Sequence, residues 1–177
     1  MLNPNIATHA VTVFTDPVRW EGLLDIPAHR RLSDHMADRD LQYLVLRRVQ
    51  YAQWQNQSYE TIEERDSIVL VKQNIAAIAA GAASSSPSQD RLIERVPKVP
   101  TPLVIHIPPL LLAGDFHTPE IIDWFAALRA ARADFIPLTN VTLWHYQTHT
   151  LLEQNLALVL VQVNRIIGVE PKPASVP

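Results

Sequence analysis

Cysteine is absent from this chain. That excludes disulfides and thiol catalysis, and it removes the sulfur ligands a zinc site ordinarily uses. Glycine is scarce, with four in 177 residues, and no glycine-rich nucleotide loop can be assembled from them. Long apolar runs are missing too. Runs such as Leu110 to Ala113 and Leu156 to Val161 are too short to span a bilayer. The opening segment MLNPNIATHAVTVF has neither a basic stretch nor a long apolar core, so no secretory signal is expected. Positive charge is not in excess. The formal net charge is −3, which offers no general attraction to nucleic acid or anionic lipid. These absences predict a cytoplasmic protein without membrane insertion.

Hydrophobic residues make up 47% of the chain and charged residues 19%, the balance of a folded protein. The length suits one ordinary domain or two small ones. A unit of about 80 residues has a thin core, so two such units are expected to pack together or oligomerise.

Prolines and glycines, whose backbone demands are special, point to a duplication. Pro17 and Pro109, Gly22 and Gly114, and Pro27 and Pro119 all share one spacing of 92 residues. Apolar segments between them align at that spacing. Val11-Thr12-Val13-Phe14 falls on Leu103-Val104-Ile105-His106, and Tyr43 to Val49 falls on Phe135 to Val141. Near the ends, Val69 to Ile78 matches Leu160 to Val169 at 91, one deletion shorter. The predicted organisation is a first repeat over 1–80, a Ser/Pro-rich linker over 81–102, a second repeat over 103–170 and a disordered tail over 171–177.

Each repeat reads as two strands, a helix and a β-meander. Strands are predicted over 11–15 and 18–25, matched by 103–107 and 110–116. In the second repeat Thr118 is placed to cap a helix, with Pro119 and Glu120 in its first turn and Ile121, Ile122, Phe125 and Leu128 along one apolar stripe. The first helix begins near Pro27, includes Leu32 and Met36, and is more polar. Further strands are predicted over 42–51, 57–63, 67–72 and 74–79, and over 134–144, 148–153, 156–163 and 165–169. One helix beside about five bent strands implies a mainly β (α+β) fold of two tandem small barrels.

The segment Val71-Lys72-Gln73-Asn74-Ile75-Ala76-Ala77-Ile78 resembles the last strand pair of the Sm-like small β-barrels, above all their bacterial RNA-chaperone branch with its Lys-His-x-Ile pattern. Lys72 falls on the lysine, Gln73 replaces the histidine and Ile75 matches the isoleucine. In the second repeat Val163 and Asn164 stand at the first two positions. Glu21-Gly22-Leu23-Leu24 is similar to the family's Gly-x-Leu strand motif, and Arg31-Leu32-Ser33-Asp34 to a segment of other bacterial Sm-like proteins. The pattern departs in two places. The helix lies inside the repeat, and Asp34-His35-Met36-Ala37 lacks the asparagine of the family's base-binding motif. The resemblance implies tandem Sm-like barrels and brings in RNA as a partner. Its contacts would be Lys72, Gln73, Asn74, Asn164 and Arg165, with amides reading bases and cations meeting phosphate.

Other clusters read more plainly. Arg30, Arg31, Arg47 and Arg48 with Tyr43, Tyr51 and Trp54 suggest a basic, stacking surface, but Asp34, Asp38, Asp40, Glu63 and Glu64 dilute its field. His145, His149 and Glu153 have metal-ligand spacing only on a helix, and their segment alternates as a strand. Asp115 with His117 and Asp34 with His35 lack a companion nucleophile. No catalytic residue, cofactor or metal is assigned. The expectation is a non-enzymatic assembly protein that self-associates as a homo-oligomer, with RNA binding as the alternative.

Overall fold

Each half begins with a proline-turned hairpin. β1 (Ile6–Phe14) pairs with β2 (Val18–Pro27) in the first half, and β6 (Lys98–Ile107) with β7 (Leu110–Pro119) in the second. The Asp16–Pro17 and Pro108–Pro109 bonds at the two turns are both cis. A computed structural model describes residues 5–81, 97–120 and 122–173. The remaining elements are the helix α1 (Leu32–Met36), β3 (Tyr43–Gln55), β4 (Ser58–Val71) and β5 (Ala77–Ala80) in the first half. In the second half they are α2 (Trp124–Ala130), β8 (Phe135–His145), β9 (Leu151–Leu156), β10 (Val159–Gln162) and β11 (Gly168–Pro171). Short 3-10 turns at Lys72–Asn74 and Val163–Arg165 lead into β5 and β11.

The strands form one 11-stranded sheet in the order β11-β6-β7-β8-β10-β5-β1-β2-β3-β4, with β9 paired to β8. Every recorded pairing is antiparallel. This corrects the expectation of two tandem Sm-like barrels, each of about five strands plus one helix. The sheet is continuous and open because β5 of the first half pairs with β10 of the second. Two edges that separate barrels would leave bare instead satisfy each other's backbone groups.

The cores interlock as well. Phe135 and Leu160 of the second half join Val11, Val13, Leu32, Met36, Leu46 and Ile78. Phe14, Ala76, Ala77 and Ala79 of the first half join Leu103, Ile105, Leu112 and Leu143.

Sequence spacing and element spacing agree in detail. β2 and β7, the starts of β3 and β8, and the starts of α1 and α2 are each 92 residues apart. Arg48 and Asn140, also 92 apart, both have positive φ, at 51° and 53°. Each sits opposite a register shift beside Gly22 or Gly114, where the sheet bends. A Cβ at Gly114 would lie 2.8 Å from Val141 Cγ2 and 3.1 Å from the Thr139 carbonyl oxygen. At Gly22 the tightest contact would be 3.1 Å, to the Arg47 carbonyl oxygen. Gly114→Ala is therefore expected to cost about 1–3 kcal/mol in urea denaturation, through overpacking, and more than Gly22→Ala.

The helices differ from expectation at their starts. Thr118 and Pro119 belong to β7, paired across to Val99 and Lys98. Asp123 caps α2 instead, its carboxylate accepting from Phe125 N and Ala126 N at 2.9 Å each. Residues 57–63 and 67–72, read as two strands, are mostly one, because β4 tracks the long β3 without interruption of the chain. In the second half the same stretch is divided into β9 and β10. β6 begins at Lys98, inside the stretch expected to be linker. Residues 82–96 of that linker, Ile121 of the helical stripe, and the tail from residue 174 lie outside the described residues.

Candidate functional site

A strand at the end of a sheet presents unpaired N–H and C=O groups, and proteins usually guard such edges with charge or proline. The end of β4 has no such guard. Ser67-Ile68-Val69-Leu70-Val71 carries no charge, proline or glycine. Its outer side chains join those of β3 across two register pairs, Tyr43 with Val71 and Val45 with Val69. All four are exposed, at 57, 43, 52 and 60%. These neighbouring exposed apolar side chains form a continuous patch beside an open edge.

Three of the four matching positions in the second half have a different fate, while Pro137, at the place of Val45, stays exposed. Phe135 stands where Tyr43 does, Leu160 where Val69 does, and Gln162 where Val71 does. They are 4, 0 and 5% exposed, because the first half covers them. Leu160 pairs with Ile78 and Val161 with Ala77. Gln162 N donates to Ala76 O at 3.0 Å, and Ala80 N to Leu158 O at 3.1 Å. Polar clamps flank this junction. Lys72 Nζ donates to Asp134 Oδ2 and to Asp38 O, both at 2.7 Å. Arg39 donates to Arg132 O at 2.6 Å.

At the far end of the sheet, β11 pairs among the described residues with β6 alone. Beside it Ile167 is 63% exposed; Ile166 and Val169, and Trp124 and Leu128 of α2, pack against the second half's core and are only partly buried.

The two turns predicted to contact RNA meet, but their residues differ in exposure. Lys72 is buried, with its ammonium held between the two halves. Gln73, Asn74 and Asn164 are exposed. Arg165 and Asn74 are brought together, since Arg165 Nη1 donates to Asn74 O at 3.0 Å. The basic surface is largely paired: Arg47 meets Asp25 at 2.6 Å and Arg30 meets Asp38 at 2.7 Å. Those partners hold both carboxyls below the usual carboxylate range. A concavity of about 670 Å³ over the Gly22 bend is lined by Arg48 and Arg65 but also by Glu21, Glu64 and Asp66, so its field is mixed.

His145 stacks on Trp54 at 3.8 Å. It lines a cleft of about 140 Å³ with Asp16, Pro17, Pro109 and Tyr146. Burial lowers its pKa. His149 is exposed on the following turn. Among the described residues no three His, Asp or Glu side chains are grouped to hold a metal ion, and no helix is long and apolar enough to cross a membrane.

His9 on β1 is buried, and among the described residues neither of its ring nitrogens has a hydrogen-bond partner, nor does Nδ1 of His35 on α1. Desolvation lowers both pKa values, and for His35 the nearby Arg30, Lys72 and His9 add to the effect against Asp38. A lowered folded value means the unfolded chain binds more protons near the ordinary histidine value of about 6.5. Stability is therefore full above that value and lost as pH falls through it toward the lower folded values. Urea denaturation is expected to show this loss between about pH 7 and 5, and His9→Leu to flatten it. A profile level across that range would contradict it.

No family model matches the chain, and comparison with curated proteins and with solved structures likewise returns no match. The Sm-like resemblance therefore rests on the quoted residues alone. The apolar quartet Tyr43, Val45, Val69 and Val71 was not singled out from the sequence as a site. Its signal was present in the uncharged β-branched run Ser67 to Val71.

Proposed function

We propose that this protein is a non-enzymatic assembly protein that self-associates through the open ends of its sheet. The reading is carried by one contrast. Phe135, Leu160 and Gln162 on β8 and β10 are covered within the chain, whereas their counterparts Tyr43, Val69 and Val71 on β3 and β4 are exposed. Burying side chains of this size contributes about 1.5–3 kcal/mol each, which favours an occupant, and the chain already contains the surface that fits. RNA binding through the turns ranks second, because the lysine that would neutralise phosphate is committed to Asp134. Size-exclusion chromatography with light scattering tests the main reading. An oligomer that dissociates on dilution is expected, and a strict monomer at high concentration would refute it.

A further inference from the structure

We infer that the association is head-to-tail: the β4 edge of one copy pairs with β11 of the next, in the register that β10 and β5 use inside the chain. This rests on the self-association reading above and adds its partner surface, polarity and register.

The two free ends are the two halves of the internal junction, left over. β4 ends in the counterpart of β10, and β11 is the counterpart of β5, each at a spacing of 91 residues. Backbone bonds confirm the alignment of the flanking turns: Lys72 N donates to Gln42 O as Val163 N does to Asp134 O, each at 2.9 Å. The side chains correspond as well. Inside the chain, Phe135 and Leu160 are buried with Leu32 of α1, Ile75 and Ile78. The projecting side of a second junction would be Tyr43 and Val69. The receiving side would be Trp124 of α2, Ile166 and Val169, the counterparts of Leu32, Ile75 and Ile78 by spacing, which pack against the second half's core and stay only partly buried. Leu160 opposite Ile78 becomes Val69 opposite Val169, and Gln162 opposite Ala76 becomes Val71 opposite Ile167.

The repeated junction differs at three points, one being that Ala131 stands where Arg39 donates to Arg132 O. Pro171 stands where Ala80 donates its N–H, so one backbone bond is lost. Val163 and Gln42 stand where Lys72 and Asp134 form their ion pair, so that clamp is absent. The contact between copies is thus weaker than the one within, as suits an assembly that forms and dissociates. A heterologous contact of this kind closes into a ring or runs on as a filament, according to the rotation it imposes.

Because the chain has no cysteine, cross-linking reports the register cleanly. Val71→Cys with Ile167→Cys places both thiols on exposed positions, and antiparallel neighbours are within disulfide reach. Val69→Cys with Val169→Cys is the second pair. Oxidation of either double variant is expected to give a ladder of covalent multimers on a non-reducing gel, while each single variant gives none. Single variants mixed in equal amounts should stop at a covalent dimer. A dimer from Val71→Cys alone would mean like edges pair, overturning the head-to-tail arrangement. Absence of cross-links from both pairs, with the reduced proteins still oligomeric by light scattering, would overturn the register and leave self-association standing. Monomeric reduced and unmodified proteins would overturn both.

Discussion

Leu160→Ala is expected to destabilise the protein by about 3–4 kcal/mol, the range for emptying a well-packed leucine site, while Val69→Ala at the equivalent position changes the stability of the dissociated chain little. The two residues occupy the same place in the two halves. Leu160 is fully buried, between Ile78 on β5 and Pro137 on β8, where the surrounding core spans both halves and cannot collapse into the gap. Among the described residues Val69 is paired on one side only, with Val45 on β3, and is 60% exposed. For a chain of this length a 3 kcal/mol loss lowers the melting temperature by roughly 6–12 °C. Val69→Asp separates stability from assembly. The dissociated chain should melt nearly as before, because the carboxylate faces water. Association should be lost, because pairing would bury an unpaired charge. Equal destabilisation at the two positions would show that the halves are not distinguished by what covers them, and an oligomer surviving Val69→Asp would remove β4 from the interface.

Much of this arrangement was legible in residues whose backbone roles are narrow. Pro17, Gly22 and Pro27 with their counterparts announced the spacing at which the hairpins and bends recur, because a turn or a close approach tolerates few residue types. Strand content was legible from the β-branched runs. The joining of the halves was not. A strand of four residues such as Ala77–Ala80 carries no signal for its second neighbour, since backbone pairing is indifferent to sequence, and alanines serve a strand buried on both sides as well as a loose one. The start of α2 was misplaced because Thr118 and Pro119 satisfy the local rules for a cap, and only pairing with Lys98 and Val99 keeps them in β7. Lys72 illustrates the same limit at the candidate site. Its exposure depends on Asp134, 62 residues away, and spacing along the chain holds no trace of that contact.

That contact sets the last expectation. Asp134→Ala should cost about 3 kcal/mol, more than Lys72→Met. The Lys72 side chain is 4% exposed, against 35% for Asp134, so the two partners lose different things when the other is removed. Without Asp134 the ammonium remains buried with the Asp38 carbonyl as its remaining hydrogen-bond acceptor, and a buried charge stripped of its counterion typically costs about 3–5 kcal/mol. The retained carbonyl bond, and the Phe135 ring 5.9 Å from Nζ, place the loss at the low end. Without the ammonium, Asp134 turns to water, and methionine keeps the aliphatic stem in place. The double variant Lys72→Met/Asp134→Ala should recover most of the loss seen in Asp134→Ala, giving a favourable coupling in a double-mutant cycle. Simple additivity would mean that the ion pair adds nothing at the junction. The same cycle bears on RNA binding. If Lys72 served phosphate, Asp134→Ala would release it and strengthen salt-sensitive binding, whereas a clamp between the halves predicts lost stability with no gain in affinity.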